Sequence, residues 1–242
     1  MKLRCPIPTT YLNNGKICVV NQMFGENKNQ LFYGPEGHRG LDLHTTGSVK
    51  FKRYKQKYSE GKWTGSWLAE PRTPLEKLGR IPIHAAHNGT IGLVLNKDKE
   101  AQGWGLFVTA EPEGTKQYRT LYWHIESPWR SLSAFIGAVI STVIRRKVYA
   151  GSPVAIGGNN GMSTGPHLHF SLDVREQDRN GKWGSWVRVD PMPYFGAKDV
   201  VFQRLYTMGS GDYYHEGKKI TLKKAKEILN LLPKVIYEKP TE

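Results

Sequence analysis

Ser163-Thr164-Gly165-Pro166-His167-Leu168-His169-Phe170 places two histidines one residue apart, just after a glycine–proline turn. In an extended strand, residues two apart face the same side with Cα atoms ~6–7 Å apart, so these imidazoles look into one cleft. Strand signals recur at Ile81–Ile91, Gly103–Thr109, Tyr118–Ile125 and Ala150–Ile156. Each of these is short, β-branched or aromatic, and bounded by Gly, Asn or Pro, a spacing that predicts an antiparallel all-β domain. Near the N-terminus, Leu41, Leu43 and Thr45 alternate with Asp42 and His44 in the period of a strand. The expected fold is therefore mainly β: an antiparallel sheet or sandwich core with a groove, plus inserted loops and a short C-terminal helical extension.

His38-Arg39-Gly40-Leu41-Asp42 lies some 125 residues earlier. Residues four apart in a fully extended strand are ~13 Å apart, too far to share one zinc at ~2 Å from each ligand. The segment is therefore expected to bend, with Gly40 inside it and the turn Gly34-Pro35-Glu36-Gly37 before it supplying backbone freedom. Imidazole, carboxylate and imidazole form the ligand set of a hydrolytic zinc site that keeps one coordination position open. A lone His-x-His or His-x-x-x-Asp is weak. Both together, each entered through a glycine-bearing turn, are much more specific.

The chain of 242 residues suits one large domain with appendages, and its 26 glycines and 14 prolines read as turn-rich and globular. A net charge of +14 suggests an anionic partner: nucleic acid, an acidic membrane face or the bacterial cell wall. No recognition helix or RNA-binding signature accompanies the charge, so no specific nucleic-acid binding is expected. Two prolines, Pro6 and Pro8, stand where the apolar core of a signal peptide would follow the basic start, and no secretion signal is read. The apolar run from Ala134 to Ile140 is shorter than a spanning helix of ~20 residues. Cys5 and Cys18 make neither a disulfide framework nor a thiolate metal site, and whether they pair is open.

The chain divides into an N-terminal segment, 1–20, a main domain, 21–197, and a C-terminal extension, 198–242, with an amphipathic helix from Thr221 to Leu232. Two stretches inside the main domain read as insertions. Residues 48–80 hold nine Lys/Arg against three Glu, and are either a solvated lobe or a basic rim for an anionic polymer. Residues 127–149 combine the apolar run with Arg145-Arg146-Lys147, and are either a packed helix or a segment touching lipid. Gly61-Lys62-Trp63-Thr64-Gly65-Ser66-Trp67 is echoed by Gly181-Lys182-Trp183-Gly184-Ser185-Trp186, which two aromatic-flanked hairpin tips explain without a repeat architecture.

With these motifs in order, the chain resembles the lysostaphin/LytM-type zinc endopeptidases that cut bacterial peptidoglycan. The matching stretches are 37–42, 85–91, 121–124, 151–157 and 163–170, within a span from about Asn21 to Pro193. The resemblance implies that His38, Asp42 and His169 bind one Zn2+ and that His124 and His167 are the catalytic pair. That is three ligands, one open position and two proton-handling imidazoles near neutral pH. Tyr33 is a candidate hydrogen-bond donor at the cleft, and His44, His84, His87 and His215 read as surface or core histidines, His44 with a chance of supporting Asp42 from the same strand face.

The resemblance further implies a peptidoglycan hydrolase cutting stem peptides or cross-bridges. It would act at the cell wall, outside the cytoplasm or in the periplasm, as a monomer, and a phage-like lytic enzyme released at lysis fits the missing export signal. The rival is a non-catalytic domain of the same fold, serving as a wall-binding or hydrolase-activating module. Such a domain would tolerate loss of ligands, and all five expected residues are present. The sequence does not indicate which bond is cut, and the two insertions make substrate preference this chain's own.

Overall fold

The structure is a computed structural model. It describes residues 1–12, 16–30, 33–45, 57–59, 62–64, 80–94, 104–126, 146–159, 163, 165–196, 198, 200–205 and 211–231. The apolar run 134–140 and most of the basic stretch 48–80 lie outside these residues.

The central element is the ten-residue strand His167–Glu176, β11 in chain order. Its even-numbered residues, Leu168, Phe170, Leu172 and Val174, are buried in one apolar cluster. Its odd-numbered residues are polar: His167, His169, Ser171, Asp173 and Arg175. A strand of period 2 thus separates the core from a polar face.

Two neighbours carry the same alternation. Leu41–His44 (β2) runs antiparallel to β11 with His169 opposite Asp42, His167 opposite His44, and Leu41 and Leu43 in the core. On the other side Lys116–Trp123 (β8) is antiparallel along eight positions, from Glu176 opposite Lys116 to His169 opposite Trp123. Beyond Phe170, Val187–Val189 (β12) continues the pairing on the edge that β2 leaves, and Asp173 comes to lie opposite Arg188.

Outward from β8 the sheet continues through Gly105–Thr109 (β7), Gly89–Val94 (β6) and Lys147–Val148 (β9), all antiparallel. Outward from β2 come Ile17–Gln22 (β1), Val201–Leu205 (β13), Gly211–His215 (β14) and Lys218–Ile220 (β15). Among the described strand pairs the antiparallel expectation holds except that β13 pairs with β1 in parallel. Parallel neighbours need a long crossover, and here the whole main sheet intervenes between them in sequence. Two short antiparallel pairs lie outside the main sheet: Pro82–His84 (β5) with the distant Pro153–Ile156 (β10), and Lys57–Ser59 (β3) with Lys62–Thr64 (β4).

The core face is filled by these strands together with Leu3, Ile7, Leu12, Ile81, Ile83, Met192 and Phe195. Val200 and Phe202 join the same cluster, and the Phe195 and Phe202 rings lie 4.5 Å apart, so the C-terminal strands share one core with the main sheet. The expected C-terminal helix is present as Leu222–Leu231 (α1). Thr221 caps it, its Oγ1 accepting from Lys224 N at 3.2 Å, and Ala225 is its buried residue. No helix among the described residues is long and apolar enough to cross a membrane.

On the polar face a second, smaller cluster joins Leu121 and Trp123 to Val94 and Phe107. Further along the face, Asp173 is buried and accepts from Arg119 and Arg188, each at 2.7 Å. Of the two Trp-bearing stretches, Lys62–Thr64 of the first pairs antiparallel with Lys57–Ser59, and the second sits at the hairpin of β11 and β12, with Gln177 bridged to Trp183. In the second, the Arg175 guanidinium lies 4.9 Å from the Trp183 ring and 4.5 Å from Trp186, which also covers Arg119.

Phe170 packs edge-on against Tyr122 and beside Phe195 at the crossing of three strands, fully buried. Phe170→Ala is expected to cost ~3–5 kcal/mol of stability, read as a lower midpoint in urea with little change in slope.

Candidate metal and catalytic centre

His38, Asp42 and His169 converge at the start of the polar face. His38 Nε2 lies 3.0 Å from His169 Nδ1 and 3.1 Å from Asp42 Oδ1, and His169 Nδ1 lies 3.0 Å from the same oxygen. Ligand atoms sharing one tetrahedral zinc at ~2.0–2.1 Å are about 3.3 Å apart, close to this triangle.

The hydrogen bonds show what the triangle is made of. His38 Nδ1 is 3.2 Å from the Met23 carbonyl, which only accepts, so the His38 proton resides on Nδ1 and Nε2 presents a lone pair. Asp42 presents a carboxylate. Burial alone would raise its pKa, but the charge of His167 and then the hydrogen bond from His169 hold it well below the usual range. Burial lowers His169 and so favours its neutral form. Lone pairs this close repel unless a cation, a proton or a metal ion, lies among them. The donor set therefore fits zinc.

Two glycines explain the bend between His38 and Asp42, for different reasons. Gly37 has φ of +74°, which L side chains rarely adopt, and the chain there is held by His38 N donating to Glu26 O at 2.7 Å. Gly40 needs no unusual φ. A Cβ on it would sit 2.7 Å from His169 Nε2 and 2.8 Å from the Phe170 carbonyl, so its role is clearance for a ligand ring and not backbone freedom.

The other two histidines stand beside this triangle. His167 Nδ1 donates to the Gly165 carbonyl at 2.7 Å, with Ser163 Oγ at 3.2 Å, and so Nε2 is its free lone pair, 3.5 Å from Asp42 Oδ1. His124 follows the last residue of β8 with φ of +60°, a left-handed conformation that costs of order 1–3 kcal/mol in a non-glycine residue. The next residues hold it there, Ile125 N donating to Trp104 O and Glu126 N to Ile156 O. Its ring centroid is 4.7 Å from that of His167 and 6.1 Å from that of His169. All five sequence-predicted residues thus meet in one place.

Tyr33 stands at the rim, its ring 5.7 Å edge-on from His38 and its hydroxyl donating to Gln22 Oε1 at 3.1 Å. Burial and then the charge of Asp42 raise its pKa, keeping it a donor. The remaining histidines lie elsewhere, His44 excepted. His87 bonds Asn88 O and Thr120 Oγ1, and His215 bonds Lys198 O. His44 shares the face of Asp42 and is buried opposite His167.

Ser171 was not singled out from the sequence. Fully buried, it holds its Oγ 3.0 Å from His169 Nε2. The period-2 rule that pairs His167 with His169 reaches Ser171 at the next step.

No family model and no curated protein matches the sequence. Among solved structures, the chain is similar to the catalytic domain of the antimicrobial peptidase lysostaphin from Staphylococcus simulans, at 18% identity and TM-score 0.40, over 72% of this chain and 90% of that one. It is also similar to a zinc-containing peptidase from Vibrio cholerae, at 18% identity and TM-score 0.40, over 78% of this chain and 39% of that one. A third is the catalytic domain of the prophage-encoded M23 protein EnpA from Enterococcus faecalis, at 19% identity and TM-score 0.36, over 72% and 88%.

Burial, and then the charge of His167, push His44 down to about 4 from 6.5. The unfolded chain then binds more protons than the folded one between those values. The stability this contributes is complete above pH 6.5 and is lost as pH falls towards 4, about 3 kcal/mol in all. Urea titrations of metal-free protein should show stability falling over that window, and His44→Asn should remove about one proton's worth of the slope.

Proposed function

We propose that this chain is a zinc-dependent endopeptidase that hydrolyses peptide bonds in bacterial peptidoglycan, in stem peptides or cross-bridges. The observation that carries the reading is the grouping itself. Three ligand atoms lie within 3.1 Å of one another, and two further imidazoles stand beside them, one with its free nitrogen turned inward. A structural metal site would be closed by a fourth protein ligand, whereas among the described residues the group of donors close enough to share one ion is His38, Asp42 and His169.

In this reading His38 Nε2, Asp42 Oδ1 and His169 Nδ1 hold the metal. Zinc held there would supply Lewis acidity, polarising the scissile carbonyl and lowering the pKa of a water to ~7. His167 Nε2 takes a proton from the attacking water, since Nδ1 is committed to the Gly165 carbonyl. His124, once protonated, donates to the oxyanion of the tetrahedral intermediate, its ring standing 4.7 Å from that of His167. Tyr33 is placed to add a neutral donor from the rim. The C–N bond then breaks, and the amine leaves with the proton that His167 took from water.

Peptidoglycan as the substrate rests on the motif resemblance of 37–42, 121–124 and 163–170 and on the charge of +14, which concentrates the protein on an anionic wall polymer. Action at the wall, by a single chain and in a phage-like lytic setting, belongs to the same proposal.

Bound zinc and new amino termini released from purified peptidoglycan test it together. His38→Ala is expected to lose both metal and activity. His167→Ala should keep most of its zinc while kcat falls ~10²–10⁴-fold. Full peptide release by both variants would refute the mechanism, and zinc binding with no cleavage by the wild type would identify a wall-binding module instead.

A further inference from the structure

Each histidine turned toward the centre needs a partner for its second nitrogen, and those partners differ in kind. His38 Nδ1 faces the Met23 carbonyl and His167 Nδ1 faces the Gly165 carbonyl, at 3.2 and 2.7 Å. A carbonyl only accepts, so those two rings are fixed in one tautomer. His169 is different. Its Nε2 faces a hydroxyl, Ser171 Oγ at 3.0 Å, which can donate as well as accept.

We infer that Ser171 is a positioning residue that lets His169 change tautomer when it takes up the metal. The inference rests on the zinc-site reading above. His169 Nδ1 lies 3.0 Å from both Asp42 Oδ1 and His38 Nε2. A proton on Nδ1 satisfies both acceptors, and Ser171 then donates its hydroxyl proton to Nε2. When Nδ1 instead gives its lone pair to zinc, the single proton of the neutral ring must sit on Nε2. Ser171 then rotates its hydroxyl and accepts. The ring stays neutral throughout, its proton moving from Nδ1 to Nε2 by exchange with water.

The surroundings hold the ring in place for this exchange. Ser171 is fully buried, so no solvent water can replace its hydroxyl without a cavity opening. Gly40 leaves the space into which Nε2 projects, where a Cβ would stand 2.7 Å away. On the adjacent strand Leu121 lies opposite Ser171 and offers no competing polar group. Partners of this kind orient ligand imidazoles and typically change metal affinity 10–100-fold.

The test combines zinc affinity, from competition with a chromophoric chelator, with nitrogen NMR of the His169 ring before and after zinc. Wild type should show Nδ1–H without metal and Nε2–H with it. Ser171→Ala should bind zinc 10–100-fold more weakly while its metal-free ring remains Nδ1–H. Ser171→Thr keeps the hydroxyl on a residue suited to a strand and should restore affinity to within about threefold. Zinc binding by Ser171→Ala as tight as wild type, or a ring already Nε2–H without metal in wild type, would overturn the assignment. Should Ser171→Ala fail to fold, the tautomer in wild type and the threonine variant decides it. A wild type that binds no zinc would refute the proposed function, while a metal-free ring found as Nδ1–H would still support the hydroxyl's donor role.

Discussion

The pairing register of β2 on β11 is the constraint on which the site depends. With Asp42 opposite His169 and Leu43 opposite Leu168, one residue pair belongs to the polar face and the next to the core. A slip of one residue would send Asp42 into the core and Leu43 to the histidines, because side chains alternate with a period of 2. The core therefore enforces the site. Burial of Leu41, Leu43, Leu168 and Phe170 holds the two strands in the only register that brings carboxylate and imidazole within 3.0 Å.

Around that register the structure brings together groups that would otherwise repel. A buried carboxylate between imidazoles is costly in apolar surroundings unless it is compensated. Here compensation comes first from the charge of His167 and then from the hydrogen bond of His169, which is why Asp42 stays ionised in spite of burial. His38 and His167 are locked by backbone carbonyls. Such preorganisation lets a hydrolytic site act without rearranging when substrate arrives.

Much of this was legible in the sequence. His-Leu-His reads directly as two imidazoles on one strand face, and Leu41 and Leu43 against Asp42 and His44 read as a second strand with the same alternation. The grouping in space follows once the strands pair. What was less legible depends on contacts between distant residues. Gly40 was visible, but its reason, room for the His169 ring, exists only after β11 lies beside it. Ser171 was within reach of the same periodicity, but serine in a strand carries no chemical signal until a histidine nitrogen faces it. The parallel pairing of β13 with β1 has no local signature at all, since partner choice is set by the edge left open when the sheet assembles. The second hairpin tip, too, was readable as a tip, whereas the stacking of Trp183 and Trp186 on two arginines was not.

The central claim is that His38, Asp42 and His169 hold one zinc ion through Nε2, Oδ1 and Nδ1. X-ray absorption at the zinc edge of the purified, zinc-loaded protein tests it most directly. The account predicts one zinc per chain with a shell of nitrogen and oxygen at ~2.0–2.1 Å, two imidazoles among them, and no sulfur. A shell containing sulfur at ~2.3 Å, or six oxygens without imidazole scattering, would contradict it.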